Sequence, residues 1–112
     1  METYRDARLL VDLCHQVVIL DDRTVTLTPT EYCVLALLVQ HAGAVLPRAS
    51  ILRRIWGEQP EMRTRRLDMH IGGLRKKLGP YADQCIATVA GIGYSFRPFS
   101  HYGAQKPVTL AD

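Results

Sequence analysis

The stretch "MRTRRLDMHIGGLRKKLG", residues 62–79, decides how the rest of this chain is read. Leu67, Ile71, Leu74 and Leu78 follow one another at spacings of four, three and four residues. That rhythm places them on one narrow stripe of a helix. Thr64 is the expected N-cap, and Gly79-Pro80 the expected terminator. At about 100° per residue the face opposite the stripe must carry Arg65, Met69, Gly72, Gly73 and Lys76. Both glycines are therefore expected on the outer surface. Each should cost a helix interior roughly 1 kcal/mol relative to alanine, so two side by side are a local conflict.

Charge placement around this helix says more than the total. The net charge is only +3, but nine of the 14 Lys and Arg residues lie within 48–77, opposed there by Glu58, Glu61 and Asp68 alone. A local basic surface follows, and its natural partners are phosphates. A chain of 112 residues suits one domain with a modest core, without metals or disulfides. Hydrophobic residues at 47% and charged residues at 22% exclude wholesale disorder. Cys14, Cys33 and Cys85 are odd in number, form no CxxC pair and have no histidine at metal-ligand spacing. They are read as inert thiols in a reduced compartment, and no metal or cofactor is expected. The longest apolar run, residues 34–39, is too short to cross a bilayer, and the opening residues do not read as a leader. The expectation is a soluble cytoplasmic protein with no membrane partner.

Outward from the basic helix, the sequence changes period several times. "ARLLVDLCHQVVILDDRTVTL", residues 7–27, offers three short β-rich runs at 8–13, 16–20 and 24–27, separated by short turns. A small antiparallel meander is the simplest arrangement. In "TPTEYCVLALLVQHAG", residues 28–43, Thr28 or Thr30 can cap a helix, Glu31 favours its first turn and Gly43 follows its end. "PRASILRRIWG", residues 47–57, predicts a second helix, with Pro47 at its start, Gly57 beyond its stop and Ile51, Leu52 and Ile55 on its buried side. Arg48, Arg53 and Arg54 are left for solvent or a ligand. "CIATVAGIGYSFRPF", residues 85–99, reads as a hairpin with strands at 86–89 and 94–97 and a turn through 90–93. The domain is placed at residues 1–99, with a frayed tail at 100–112.

The order is strands, three helices, then a hairpin. This α+β arrangement describes a winged helix-turn-helix. Its design has a dimensional reason, because an α-helix fits the major groove of B-DNA while a hairpin reaches the neighbouring minor groove or its phosphates. Catalysis is not expected. His15, His41, His70 and His101 are scattered, and none stands in a motif with a nucleophile or paired carboxylates.

"LTPTEYCVLALL", "LPRASILRRIWG", "RRLDMHIGGLRKKLG" and "IATVAGIGYSF" resemble the consecutive signatures of the C-terminal effector domain of OmpR/PhoB-type response regulators. The resemblance covers residues 27–96 and implies a transcription-factor domain whose third helix enters the major groove and whose wing tracks the minor groove. By that resemblance Arg65, His70, Arg75, Lys76 and Thr88 match positions that touch the DNA backbone. Trp56 matches a tryptophan packed near it. Asp68, Leu67, Ile71, Leu74 and Tyr94 match folding positions. Gly72 and Gly73 stand where relatives carry arginine or another polar side chain, and Ala90 stands at the wing tip in place of a frequent arginine. Direct readout of bases is therefore expected to be reduced or moved.

The expected DNA-binding set is Arg48, Arg53, Arg54, Trp56, Arg63, Arg65, Arg66, Met69, His70, Gly72, Gly73, Arg75, Lys76, Lys77, Thr88 and Ala90. The expected partner is double-stranded DNA, bound as a dimer in the family's usual habit. RNA polymerase is a further candidate through "GEQPEM", residues 57–62. A second reading keeps the winged-helix core as a protein-interaction module with weak or no DNA binding. For the glycines, close approach of the helix to another surface, drift, and lost DNA binding all stay open. A receiver domain would need about another hundred residues, which leaves an excised domain and a free-standing one as alternatives.

Overall fold

The computed structural model describes residues 3–57 and 64–99, with the backbone alone at 64 and 65. It opens with an antiparallel sheet of β1 (Thr3–Arg5), β2 (Leu9–Asp12), β3 (Val17–Leu20) and β4 (Arg23–Thr24), in that order across the sheet. Leu9, Val11 and Val18 are buried at alternate positions, as a half-buried sheet requires. Its turns use polar residues that tolerate a left-handed backbone: Gln16, Asp21 and Asp22 have φ of 58°, 51° and 67°. The three-run expectation missed β1, which has a single inward-facing aromatic, and overextended the last run, which stops at Thr24. That aromatic is Tyr4, set edge-on against Phe96 with ring centroids 5.2 Å apart.

Helix α1 (Pro29–Gln40) begins with a complete capping box. Thr28 Oγ1 accepts from Glu31 N at 3.1 Å, and Glu31 Oε1 accepts from Thr28 N at 3.0 Å. Val34, Leu35, Leu37, Leu38 and Val39 are buried, so the helix runs through the centre of the core as its apolar surface predicts. A short strand β5 (Val45–Pro47) follows, and its last residue leads directly into α2 (Arg48–Trp56). Pro47 supplies no side-chain cap. The freed Arg48 N–H instead donates to Ile92 O at 3.0 Å, across to the wing. Gly57 ends α2 in the left-handed region at φ 66°, with its N–H donating to Arg53 O at 2.8 Å.

Helix α3 (Thr64–Leu78) is the basic helix; Thr64, the expected N-cap, is its first helical residue, and the position before it lies outside those described. Gly79, at φ 62°, terminates it as expected. The three expected main helices are all present, and Pro80 starts a short additional one, α4 (Pro80–Cys85). Proline's fixed φ ends one helix and suits the first turn of the next. α4 buries Tyr81, Ala82 and Cys85.

The chain then forms β6 (Ile86–Val89) and β7 (Gly93–Phe96). The second strand lies one residue earlier than its expected span, and the hairpin is part of a three-stranded sheet in the order β5-β7-β6. Gly93 makes that extra pairing possible: a Cβ there would stand 2.0 Å from Leu46 O. Three residues ending in proline carry almost no strand signal, so β5 was not legible.

Asp6 joins the N-terminal sheet to the far end of the domain. Its Oδ1 accepts from Arg8 N and Leu9 N, each at 2.8 Å, while Oδ2 accepts from Tyr4 OH at 2.7 Å, Tyr81 OH at 2.5 Å and Phe99 N at 3.1 Å. Among the described residues no helix is long and apolar enough to cross a membrane, and no three His, Cys, Asp or Glu residues cluster to hold a metal. Residues 100–112, the expected tail, lie outside those described.

Candidate nucleic-acid interface

The predicted stripe of α3 is its anchor, since Leu67, Ile71, Leu74 and Leu78 are all buried. Along the outward line, Met69 is 69% exposed, Lys76 is exposed, and a Cβ built on Gly72 would meet nothing within 4 Å. Between these two lines lie two flanks. Each is held by neighbouring elements.

Gly73 lies on one flank, which corrects the expectation that both glycines face outward. A Cβ at Gly73 would stand 2.2 Å from Glu31 Oε2 and 3.2 Å from Glu31 Cδ. One residue turns a helix by about 100°, enough to carry Gly73 from the open face onto α1. Close approach is thus the reason for this glycine, and the surface approached is the protein's own. Glu31 is only 6% exposed, and Lys77 Nζ donates to its Oε1 at 2.6 Å. Burial pushes the Glu31 carboxyl pKa up, but Lys77 and the Thr28 backbone outweigh it and hold the value below the usual range.

Further toward its start, the same flank meets α2. The half-buried Trp56 ring lies 5.7 Å from the His70 ring, and the Arg66 guanidinium sits 5.1 Å over the indole. These three residues form a helix-to-helix contact with a polar edge.

The opposite flank holds the wing. Arg48 forms an ion pair with Asp68 and lies 5.1 Å over the Tyr94 ring, while Tyr94 OH also donates to Asp68 Oδ1. Burial raises the Asp68 pKa, but the Tyr94 and Arg48 bonds dominate and depress it. Arg75 Nη2 donates to Thr88 Oγ1 at 2.7 Å and to Ile86 O at 3.2 Å, with its guanidinium 5.7 Å from the Tyr94 centroid. Arg48, Arg75, Lys77 and Thr88 therefore hold the interface elements to one another.

Arg53 and Arg54 are exposed in the last turn of α2, where cations suit the helix dipole. Arg54 borders a groove with Tyr32, Cys33, Ala36 and Leu37 of α1. Ala90 is exposed in the wing turn beside Gly91, whose φ is 76°. Arg63 and all but Gly57 of the loop expected to meet polymerase lie outside the described residues; Arg65 is placed in α3 by its backbone.

Sequence reasoning missed the Glu31, Gly73 and Lys77 contact. Lys77 and Glu31 are 46 positions apart, and no local pattern links them. The Asp68 and Arg75 flank carried a signal: they are seven residues, about two turns, apart and so share a neighbour.

The family model described as "Transcriptional regulatory protein, C terminal" matches residues 22–96. The response regulator ArlR of Staphylococcus saprophyticus is 43% identical over 81 residues, covering 71% of this chain and 37% of that protein. ArlR of Staphylococcus aureus is 43% identical over 74 residues, covering 65% of this chain and 34% of that protein. The chain thus spans about a third of the length of these curated relatives. Among solved structures, the Klebsiella pneumoniae RstA DNA-binding domain in complex with the RstA box superposes with a TM-score of 0.78 at 31% identity, covering 88% of this chain and 99% of that one. The DNA-binding domain of CpxR from E. coli gives 0.75 at 30% identity, covering 88% and 98%. The family match over most of the chain and the superposition on these solved domains agree: the chain belongs to the OmpR/PhoB-type response regulator C-terminal DNA-binding domains, a winged-helix family of transcription regulators and not of enzymes.

Proposed function

We propose that this domain binds duplex DNA with α3 in the major groove and the β6–β7 wing on the minor groove or backbone, and that direct base readout is reduced. The observation that carries this reading is the outward line of α3. Met69, Gly72 and Lys76 face away from the core while Leu67, Ile71, Leu74 and Leu78 opposite them are buried, so the described part of this helix face projects outward from the core. The RstA relative, whose structure is in complex with the RstA box, supports the binding of DNA by this fold. Affinity comes mainly from phosphates met by exposed cations, with Lys76, Arg53 and Arg54 the described candidates and Arg63 and Arg65 completing the set. Arg48 and Lys77 contribute less, since each already faces a carboxylate. The setting is bacterial transcription in the cytoplasm, with two copies on DNA.

The test is a titration of labelled random-sequence duplex at several salt concentrations. Each neutralised phosphate adds about 0.9 to the log-log slope. A steep negative slope supports the reading. A flat slope, or no binding, overturns it and favours the protein-interaction module, with polymerase or another regulator as the partner of loop 57–62.

A further inference from the structure

We infer that Met69 is a specificity-determining residue that reads the C5 methyl of thymine, so that preferred sites carry thymine opposite the middle of α3. This rests on the docking proposed above. The outward line at its described positions holds Met69, Gly72 and Lys76. Of these only Lys76 can hydrogen-bond a base edge, at guanine; neither Met69 nor Gly72 carries a side-chain donor, and adenine calls for asparagine or glutamine. Among the residues whose side chains are described, the nearby forks are engaged elsewhere, Arg48 with Asp68, Arg75 with Thr88 and Ile86, and Arg66 over Trp56. Lys76 carries its three donors about two turns further along the helix than Met69.

Met69 offers apolar surface. It is 69% exposed, against 45% for Val45 and 52% for Ile92, the other large hydrophobics exposed among the described residues. An unbranched thioether adapts its shape to a contact instead of demanding one. Gly72 stands next to it, one turn on, with open space where a side chain would be. A bare position there lets the helix backbone sit deeper in the groove, which brings Met69 to the base edges. Of the groups a base pair presents in the major groove, the thymine methyl is the apolar one. Gly72 and Met69 thus work as a pair, one granting approach and the other making the contact.

The experiment uses the whole chain and a duplex selected from a random-sequence library. Each thymine is replaced singly by deoxyuridine, which removes one methyl and leaves the phosphates and hydrogen-bonding edges unchanged. One or two positions should lose about fourfold in affinity, the size expected for one buried methyl. In Met69→Ala that loss should vanish at the same positions, while the salt slope stays at the wild-type value. Unchanged circular dichroism will show that this exposed substitution leaves the fold intact. Affinity indifferent to deoxyuridine everywhere, or a penalty that persists in Met69→Ala, overturns the inference and leaves Met69 as a contact for a protein. A selection that enriches no sequence also overturns it. Absence of salt-dependent binding to any duplex removes the docking proposal itself, and so is distinguishable from failure of the methyl contact alone.

Discussion

Gly73 of α3 and Glu31 of α1 occupy each other's space: a single added carbon at Gly73 would lie 2.2 Å from the Glu31 carboxylate. Adjacent glycines in one helix therefore have different reasons to exist. Gly72→Ala meets nothing and gains helix propensity, so it should stabilise the domain by about 1 kcal/mol. Gly73→Ala makes the same gain but drives Glu31 out of its contacts with Thr28 and Lys77. A net loss of about 1–3 kcal/mol is expected. In a Glu31→Ala background, which itself costs about 1 kcal/mol through the lost capping box, Gly73→Ala should turn stabilising. Urea unfolding of the four variants measures this; additive effects would contradict the steric pairing.

The basic residues should separate into two groups when salt dependence and stability are measured together. Lys76→Ala, at an exposed position with no carboxylate partner among the described residues, should lower the salt slope by about 0.9 if its ammonium meets one phosphate, with little change in unfolding. Lys77→Ala should do the reverse, weakening the domain because Glu31 would be left buried without its cation. Equal slope losses for both would show that the ion pair opens on DNA.

Asp6 makes the domain's stability fall in acid. Burial raises its pKa, yet hydrogen bonds from Tyr4, Tyr81, Arg8 N and Leu9 N outweigh that and hold it below 3.8. Glu31 and Asp68 are depressed as well. A carboxylate depressed in the fold contributes stability above its unfolded pKa and loses that contribution as pH falls through the folded value. Unfolding free energy should hold steady from neutral pH to about 5 and decline below about 4. Asp6→Asn should lose about 1–2 kcal/mol at neutral pH and show a shallower acid decline. A wild-type profile flat to pH 3 would be inconsistent with these bonds.

Thiol chemistry gives an independent check on packing. Cys85 is buried, and desolvation pushes its thiol up to about 11, so it carries almost no thiolate at neutral pH. Iodoacetamide should label the exposed Cys14 and Cys33 in the native protein and reach Cys85 only after denaturant is added. Mass spectrometry of the digested protein reads the outcome; native labelling of Cys85 would mean that α4 opens readily.

Much of this molecule is written in short-range terms. The four-residue rhythm of Leu67, Ile71, Leu74 and Leu78, the Thr28 cap with Glu31, and the glycine stops at positions 57 and 79 involve neighbours within a turn or two. Such patterns act before any tertiary contact exists, so the winged-helix order and the family resemblance could be read from them. The tertiary structure alone decided which glycine faces outward, which cations are neutralised, and that residues 45–47 join the wing as a third strand. Those facts depend on how α1, α3 and the hairpin lie against one another, and a steric contact or ion pair between distant segments leaves no periodicity along the chain that makes it.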